Sequence, residues 1–226
     1  MFKPLVKYLW DTSHRFSARL HVYIVRSLAY DDQASHCIDA GHDYVRIKTL
    51  ELCRRTIIEK NVSGCTAELG VYKGHFAAKI NELFPNRRLY LFDTFEGFDR
   101  LDRMYDAQKN FSKLNDDFSD TNIDQVRRGM KYPEQCVFVK GRFPDSARGI
   151  DDTFSFVSLD ADLYLPTKYG LDYFYPRLEK NGYLFVHDYF NRHYKGVKKA
   201  VDEFCDIEHA NMVPIPDLAG SVIITK

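Results

Sequence analysis

From residue 62 onward, short apolar runs alternate with amphipathic stretches. CTAELGV, RLYLFDTF, CVFVKG, FSFVSLDA and YLFVHDY read as strands, because each is rich in Val, Leu, Phe or Tyr and ends in Gly, Asp or another turn former. NMVPI and SVIITK read as two more, separated by Pro216, Asp217 and Gly220, which fits an antiparallel edge hairpin. Helical spacing between the strands predicts helices near 74 to 84, 122 to 131, 166 to 178 and 194 to 206. This alternation predicts an α/β fold, a mainly parallel sheet with helices on both faces. Upstream, VRIKTLELCRRTIIEK places Val45, Leu50, Cys53 and Ile57 at helical spacing over 45 to 60.

Residues 1 to about 30 mix aromatic and basic types, among them Phe2, Lys3, Trp10, Arg15, Phe16 and Arg19, and predict one or two amphipathic helices. Packing on the domain or on a partner subunit is favoured for them over a membrane surface, which makes a homodimer through these helices an expectation. The chain is expected to divide into a helical cap or lid segment, 1–60, and a ligand-binding domain, 61–226. Asp99 to Asp120 is polar and charge-rich, and is read as a long loop serving as a lid or substrate loop.

With 226 residues the chain has room for one substantial domain. Lys plus Arg and Asp plus Glu both number 32, so no global field favours nucleic acid, and small molecules or proteins are the expected partners. Cys37, Cys53, Cys65, Cys136 and Cys205 are odd in number and lack CxxC spacing, which suggests reduced thiols and a cytoplasmic location. The first residues carry no signal-peptide apolar region, and no apolar run approaches the ~20 residues of a membrane span.

Acidic groups at strand ends carry the candidate chemistry. Asp160 and Asp162 close FSFVSLDADLY, and Asp188 follows His187 in YLFVHDYF. Carboxyl ends of parallel strands are where ligands sit in open α/β sheets. Asp160 and Asp162 share a face if the strand continues through them, and two such carboxylates call for a divalent cation or a shared proton. A helix cap is the competing role for this pair. Gly70 and Gly74, between the first strand and its helix, allow a tight turn and close approach of a ligand to free N–H groups. Asp93, about 20 residues on, is placed to bond ribose hydroxyls. Glu68 beside the turn suits a ligand with a cationic amine and sulfonium better than a pyrophosphate. Neither GxGxxG nor GxxxxGK[ST] is present, which disfavours an NAD-dependent oxidoreductase. Tyr164, Tyr189, Phe190 and His193 lie near the acid strand ends as candidate walls for a sugar, although aromatic residues more often fill a core.

Five blocks in order, AELGVYKGHFAAKI, LYLFDTFEGF, FSDTNIDQVRRGM with CVFVKGRFPDSA, SLDADLYLPTKYGLDYFYPRLEKNGYLFVHDYF and GVKKAVDEF, resemble the macrocin O-methyltransferase group of class I methyltransferases. The resemblance covers roughly residues 62 to 225. It implies a Rossmann-like, mainly parallel seven-stranded sheet and transfer of a methyl group from S-adenosylmethionine (SAM) to a sugar hydroxyl, aided by a divalent metal, Mg²⁺ or Mn²⁺. The first block is also similar to that of catechol O-methyltransferases, so methylation of a catechol-like diol is the rival enzymatic reading, and a SAM-binding protein with a decayed metal site is the non-enzymatic one. Residue by residue, the resemblance assigns Glu68, Gly70, Val71, Tyr72 and Gly74 to the methionine end of SAM. It assigns Asp93, Thr94 and Phe95 to the ribose, and Gly141, Arg142 and Phe143 to the surroundings of the adenine. Asp160 is implied as a cofactor and metal residue, Asp188 as a second metal ligand and Asp162 as the general base. The group has two acids where this chain has His187 and Asp188, and a glycine at Ala161. His187 then either binds a softer metal, acts as a base beside a metal-free site, or marks a degraded site. Survival of Asp160, Asp162 and Asp188 favours retained chemistry.

Overall fold

The structure of the protein, a computed structural model, describes residues 43–112 and 117–226. The amphipathic helices expected over 1 to about 30, and the dimer surface expected of them, lie outside the described residues.

Seven strands form one sheet. β1 (Cys65–Leu69), β2 (Leu89–Asp93), β3 (Cys136–Lys140), β4 (Phe154–Leu159) and β5 (Leu178–Val186) are parallel. β6 (Met212–Pro214) and β7 (Val222–Thr225) form the expected antiparallel hairpin, with β7 against β5 and β6 at the edge. The order β3-β2-β1-β4-β5-β7-β6 reverses direction between β1 and β4. A crevice therefore opens at the carboxyl ends of these two strands, where neighbouring connections leave in opposite directions.

The strand pattern divides the core in two. Along β2, Leu89 and Leu91 join one apolar cluster while Tyr90 and Phe92 join the other, as a period of two requires. Leu50, Cys53 and Ile57 of α1 (Tyr44–Glu59) pack in the first cluster with Ala77 and Ile80 of α2 (His75–Leu83). Thus α1, which falls within the 1–60 segment set apart above, is part of the sheet domain's own core. Its N-cap is Asp43, whose Oδ1 accepts from the N–H groups of Val45 and Arg46 at 2.9 and 3.2 Å.

Asp99 to Asp120 departs from the loop reading. It contains α3 (Arg100–Lys109), started by the Asp99 carboxylate, which accepts from Leu101 N–H at 2.8 Å. α3 is polar where a surface helix should be apolar: Asp102 and Asp106 are buried, whereas Leu101 and Met104 are 61% and 46% exposed. Ordinary amphipathic periodicity cannot detect such a helix. The buried carboxylates are matched by partners from elsewhere. Arg142 donates to Asp102 through Nη2 at 2.6 Å and Nε at 3.1 Å. Asp106 accepts from Tyr164 N–H at 3.1 Å, and so caps α5 (Tyr164–Arg177), whose own N-cap residue Leu163 offers no side-chain acceptor. Farther on are α4 (Ile123–Arg128) and α6 (Lys195–Glu208).

Asp106 gives a stability prediction. Burial raises its carboxyl to about 6, and its Oδ2 has no hydrogen-bond partner. Because the folded-state value lies above the unfolded one, the native state is favoured below about pH 4 and loses stability as pH rises through about 6, by an amount on the order of 2 kcal/mol. Asp106→Asn retains an oxygen for Tyr164 N–H and has no charge to bury. Denaturant unfolding at pH 5 and 8 should show the variant gaining stability over the wild type at the higher pH; a loss there would refute the account.

Candidate active site

β1 runs into Gly70, which has φ +85°, and Tyr72 has φ +49° before α2 begins at His75. The turn is pinned by β2. Asp93 Oδ2 accepts from Val71 N–H at 2.6 Å and Tyr72 N–H at 2.9 Å, and its Oδ1 accepts from Phe95 N–H at 2.7 Å. Of the roughly four lone-pair directions of a carboxylate, these amides take three. Asp93 is thus first a clamp joining the end of β2 to the glycine turn, and its Oδ1 also lies 3.3 Å from the Thr94 hydroxyl.

A cavity of about 420 Å³ lies between this turn and the ends of β4 and β5. Glu68, Gly70, Val71, Tyr72, Asp93, Thr94, Gly141, Arg142, Phe143, Asp160, Asp162, His187 and Asp188 all line it, as the sequence reading grouped them. Gly74 and Phe95 do not. A Cβ on Gly74 would meet Val126 Cγ1 at 2.7 Å, so that glycine admits α4 and not a ligand. Phe95 is buried in the core against Phe138, and only its N–H serves the site, through Asp93.

The acids are arranged differently from a shared strand face. β4 ends at Leu159, and Asp162 sits in a left-handed conformation at φ +58°. Asp160 Oδ1 lies 2.9 Å from His187 Nδ1, which is 2.7 Å from Asp188 Oδ2. The second oxygen of Asp160 accepts from Arg46 Nη1 at 2.9 Å. Asp188, also left-handed at φ +60°, accepts from Asn191 Nδ2 at 2.5 Å through Oδ1.

Electrostatics separate the groups. Burial opposes ionisation of Asp160, but His187 and Arg46 outweigh it and hold this carboxyl well below its usual range. For His187, burial disfavours the charged ring, yet Asp160 and the hydrogen bonds to Asp160 and Asp188 prevail and raise it to about 10. Asp162 goes the other way: burial, then the charges of Asp160 and Asp188, push it well above the usual carboxylate value, and it hydrogen-bonds to Asp188. The carboxylate that Asp162 hydrogen-bonds is thus Asp188, not Asp160. Burial likewise raises Glu68 to about 8.

One ligand atom from each of Asp160, His187 and Asp188 lies within 4.8 Å of the others. The same Nδ1 contacts, 2.9 Å to Asp160 and 2.7 Å to Asp188, keep the three donor groups close enough to share one ion. Two carboxylates and an imidazole suit Mn²⁺ or Fe²⁺ better than Mg²⁺, which prefers oxygen throughout. These residues fit a divalent cation.

Several lining residues escaped the sequence reading. Arg46 reaches Asp160 from 114 positions away, and no local motif marks it. Phe98, just before the polar 99–120 stretch, and Phe118, near its end, also line the cavity, with Phe118 edge-on to both Tyr72 and Phe98 at 5.0 and 5.1 Å. Gly97 is the signal that could have found them: its Cβ would lie 2.3 Å from Asp117 O, so the glycine of FEGF brings this segment against the site. Tyr164 and Tyr189, proposed as sugar walls, are instead buried, bonded to Glu203 and Asp202 at 2.6 Å each. Phe190 is exposed and borders a separate hollow with Arg192 and Lys195.

Strand order and site position together define a class I methyltransferase fold. The solved structure of the O-methyltransferase NovP matches it with a TM-score of 0.66 at 23% identity, over 80% of this chain and 79% of that one. A family model described as macrocin-O-methyltransferase (TylF) matches residues 33–218, and the chain belongs to this family. Among curated relatives, demethyldecarbamoylnovobiocin O-methyltransferase from Streptomyces niveus is 28% identical over 218 residues, covering 86% of this chain and 79% of the relative. An 8-demethyl-8-(2,3-dimethoxy-alpha-L-rhamnosyl)-tetracenomycin-C 4'-O-methyltransferase from Streptomyces olivaceus is 26% identical over 157 residues; the match spans 64% of this chain and 60% of the relative's length. No helix among the described residues is long and apolar enough to cross a membrane.

Proposed function

We propose that the protein transfers the methyl group of SAM to a sugar hydroxyl of a glycan or glycosylated metabolite. The observation that carries this reading is that one cavity is lined both by the glycine turn with Glu68 and by the acid cluster with Asp162. Family membership supports the reaction, and the relative named for 4'-O-methylation of a rhamnosyl tetracenomycin supports a sugar acceptor.

Methyl transfer from a sulfonium is an in-line displacement. The acceptor oxygen forms a bond to the methyl carbon, the sulfur keeps the electron pair of the broken bond, and the hydroxyl proton must leave. Holding both partners in one cleft lowers the entropic part of the barrier. Asp162 is the proton acceptor. His187 is engaged at Nδ1 whether it bridges Asp160 and Asp188 as a cation or ligates a metal, so through this atom it orients these carboxylates. Asp160, His187 and Asp188 would hold a divalent cation, which would lower the proton affinity of a hydroxyl placed beside it.

Calorimetry with SAM, with and without Mn²⁺ and Mg²⁺, followed by methyl transfer to a panel of rhamnosides and other glycosides, tests this directly. SAM should bind, Mn²⁺ should be preferred to Mg²⁺, and a glycoside should be methylated. Absence of SAM binding would end the assignment.

A further inference from the structure

Two residues that line the cavity each carry a buried polar atom without a partner, and the two atoms are of opposite sense. Arg46 is 7% exposed and its Nε has no acceptor; Glu68 is 2% exposed and its Oε2 has no donor. Both residues line the cavity. They do not bond to each other. Ser158 stands between them, its hydroxyl oxygen accepting from Arg46 Nη2 at 3.1 Å and its hydroxyl bonded to Glu68.

Leaving a buried donor and a buried acceptor unmet is costly, the more so for ionisable groups. A ligand that answers both must present an anion to the guanidinium and a cation to the carboxylate, a short distance apart. An α-amino-acid zwitterion does so.

The surroundings hold Arg46 ready for an anion. Its guanidinium lies 3.9 Å from the centroid of the Phe76 ring, so its plane is fixed. Phe76 belongs to the first turn of α2, whose N-cap Gly74 has no side chain to satisfy the free N–H groups there. Arg46 pairs with Asp160 through Nη1 at 2.9 Å and keeps Nε unmet, while Lys73 pairs with Asp120 and Arg142 with Asp102 at 2.6 Å each.

We propose that Arg46 binds the carboxylate of the amino-acid end of the methyl donor, while Glu68 receives its ammonium group. This rests on the SAM-dependent reading above and adds to it a residue from α1, outside the glycine turn and the strand-end acids. Arg46 also neutralises Asp160, so a purely structural role must be told apart from ligand binding.

The comparison of S-adenosylhomocysteine with 5'-methylthioadenosine makes that distinction. The two share the nucleoside and thioether, and only the first carries an amino-acid end. In Arg46→Gln, affinity for S-adenosylhomocysteine should fall by about 10- to 100-fold, as for loss of a charged hydrogen-bonded pair, while that for 5'-methylthioadenosine changes by no more than about twofold. Arg46→Lys, which keeps the charge and loses the fork, should lie between and serves if the Gln variant does not fold. Equal losses for both ligands would assign Arg46 to the scaffold and overturn the proposal, as would unchanged binding of S-adenosylhomocysteine. If the wild type binds neither ligand, the SAM-dependent reading itself fails.

Discussion

Asp162→Asn should lower kcat by about 10²- to 10⁴-fold, the range for loss of a positioned general base, while affinity for S-adenosylhomocysteine stays within about twofold. Asparagine is nearly isosteric with aspartate and tolerates the left-handed backbone at φ +58°, so the loop keeps its shape. The amide can still donate to Asp188, the partner of the Asp162 carboxyl. What disappears is proton affinity. Burial and the neighbouring charges of Asp160 and Asp188 raise that affinity in the wild type, which helps a carboxylate take a proton from a weakly acidic hydroxyl. The same shift sets a sign for pH: the base works only when ionised, so kcat/KM should fall as pH drops through the raised value. The acidic limb should flatten in the variant. Retention of more than about a tenth of kcat would mean that another group takes the proton.

What was legible in the chain depended on whether chemistry and hydrophobicity coincided. Strand ends were readable because Asp93, Asp160 and Asp188 interrupt apolar runs, and the sheet brings these three to one cavity. α3 was hidden for the inverse reason, since it buries Asp102 and Asp106 and exposes Leu101 and Met104. Its partners, Arg142 and the Tyr164 N–H, lie 40 and 58 positions away, beyond the reach of any local pattern. Arg46 was hidden likewise, a basic residue in an ordinary amphipathic helix until the fold sets it on Asp160. Asp93 shows a subtler limit. Its position fitted a ribose ligand, whereas its geometry shows a carboxylate already tied to the amides of Val71, Tyr72 and Phe95.

The glycines make the same point in a form that can be measured. Gly70 was read as room for a ligand, but a Cβ there would lie 2.0 Å from the backbone oxygen of Asp160 and 2.6 Å from its carbonyl carbon. No side-chain movement relieves a contact with backbone. The ends of β1 and β4 would have to part, straining the bonds from Gly70 N–H to Phe92 O at 2.9 Å and from Asp160 N–H to Leu69 O at 2.8 Å. Strain at φ +85° adds about 1–2 kcal/mol for any residue with a Cβ. Gly70→Ala should therefore destabilise the ligand-free protein by more than about 3 kcal/mol, lowering Tm by roughly 6–12 °C. Gly149 provides the control: its φ is +82° but nothing lies within 4 Å of a Cβ, so Gly149→Ala should cost only the backbone strain. If Gly70 served the ligand alone, its alanine variant would melt like the Gly149 variant and lose only binding. A larger fall in Tm for Gly70→Ala than for Gly149→Ala means that this glycine lets two strands meet, and that the position of Asp160 depends on their meeting.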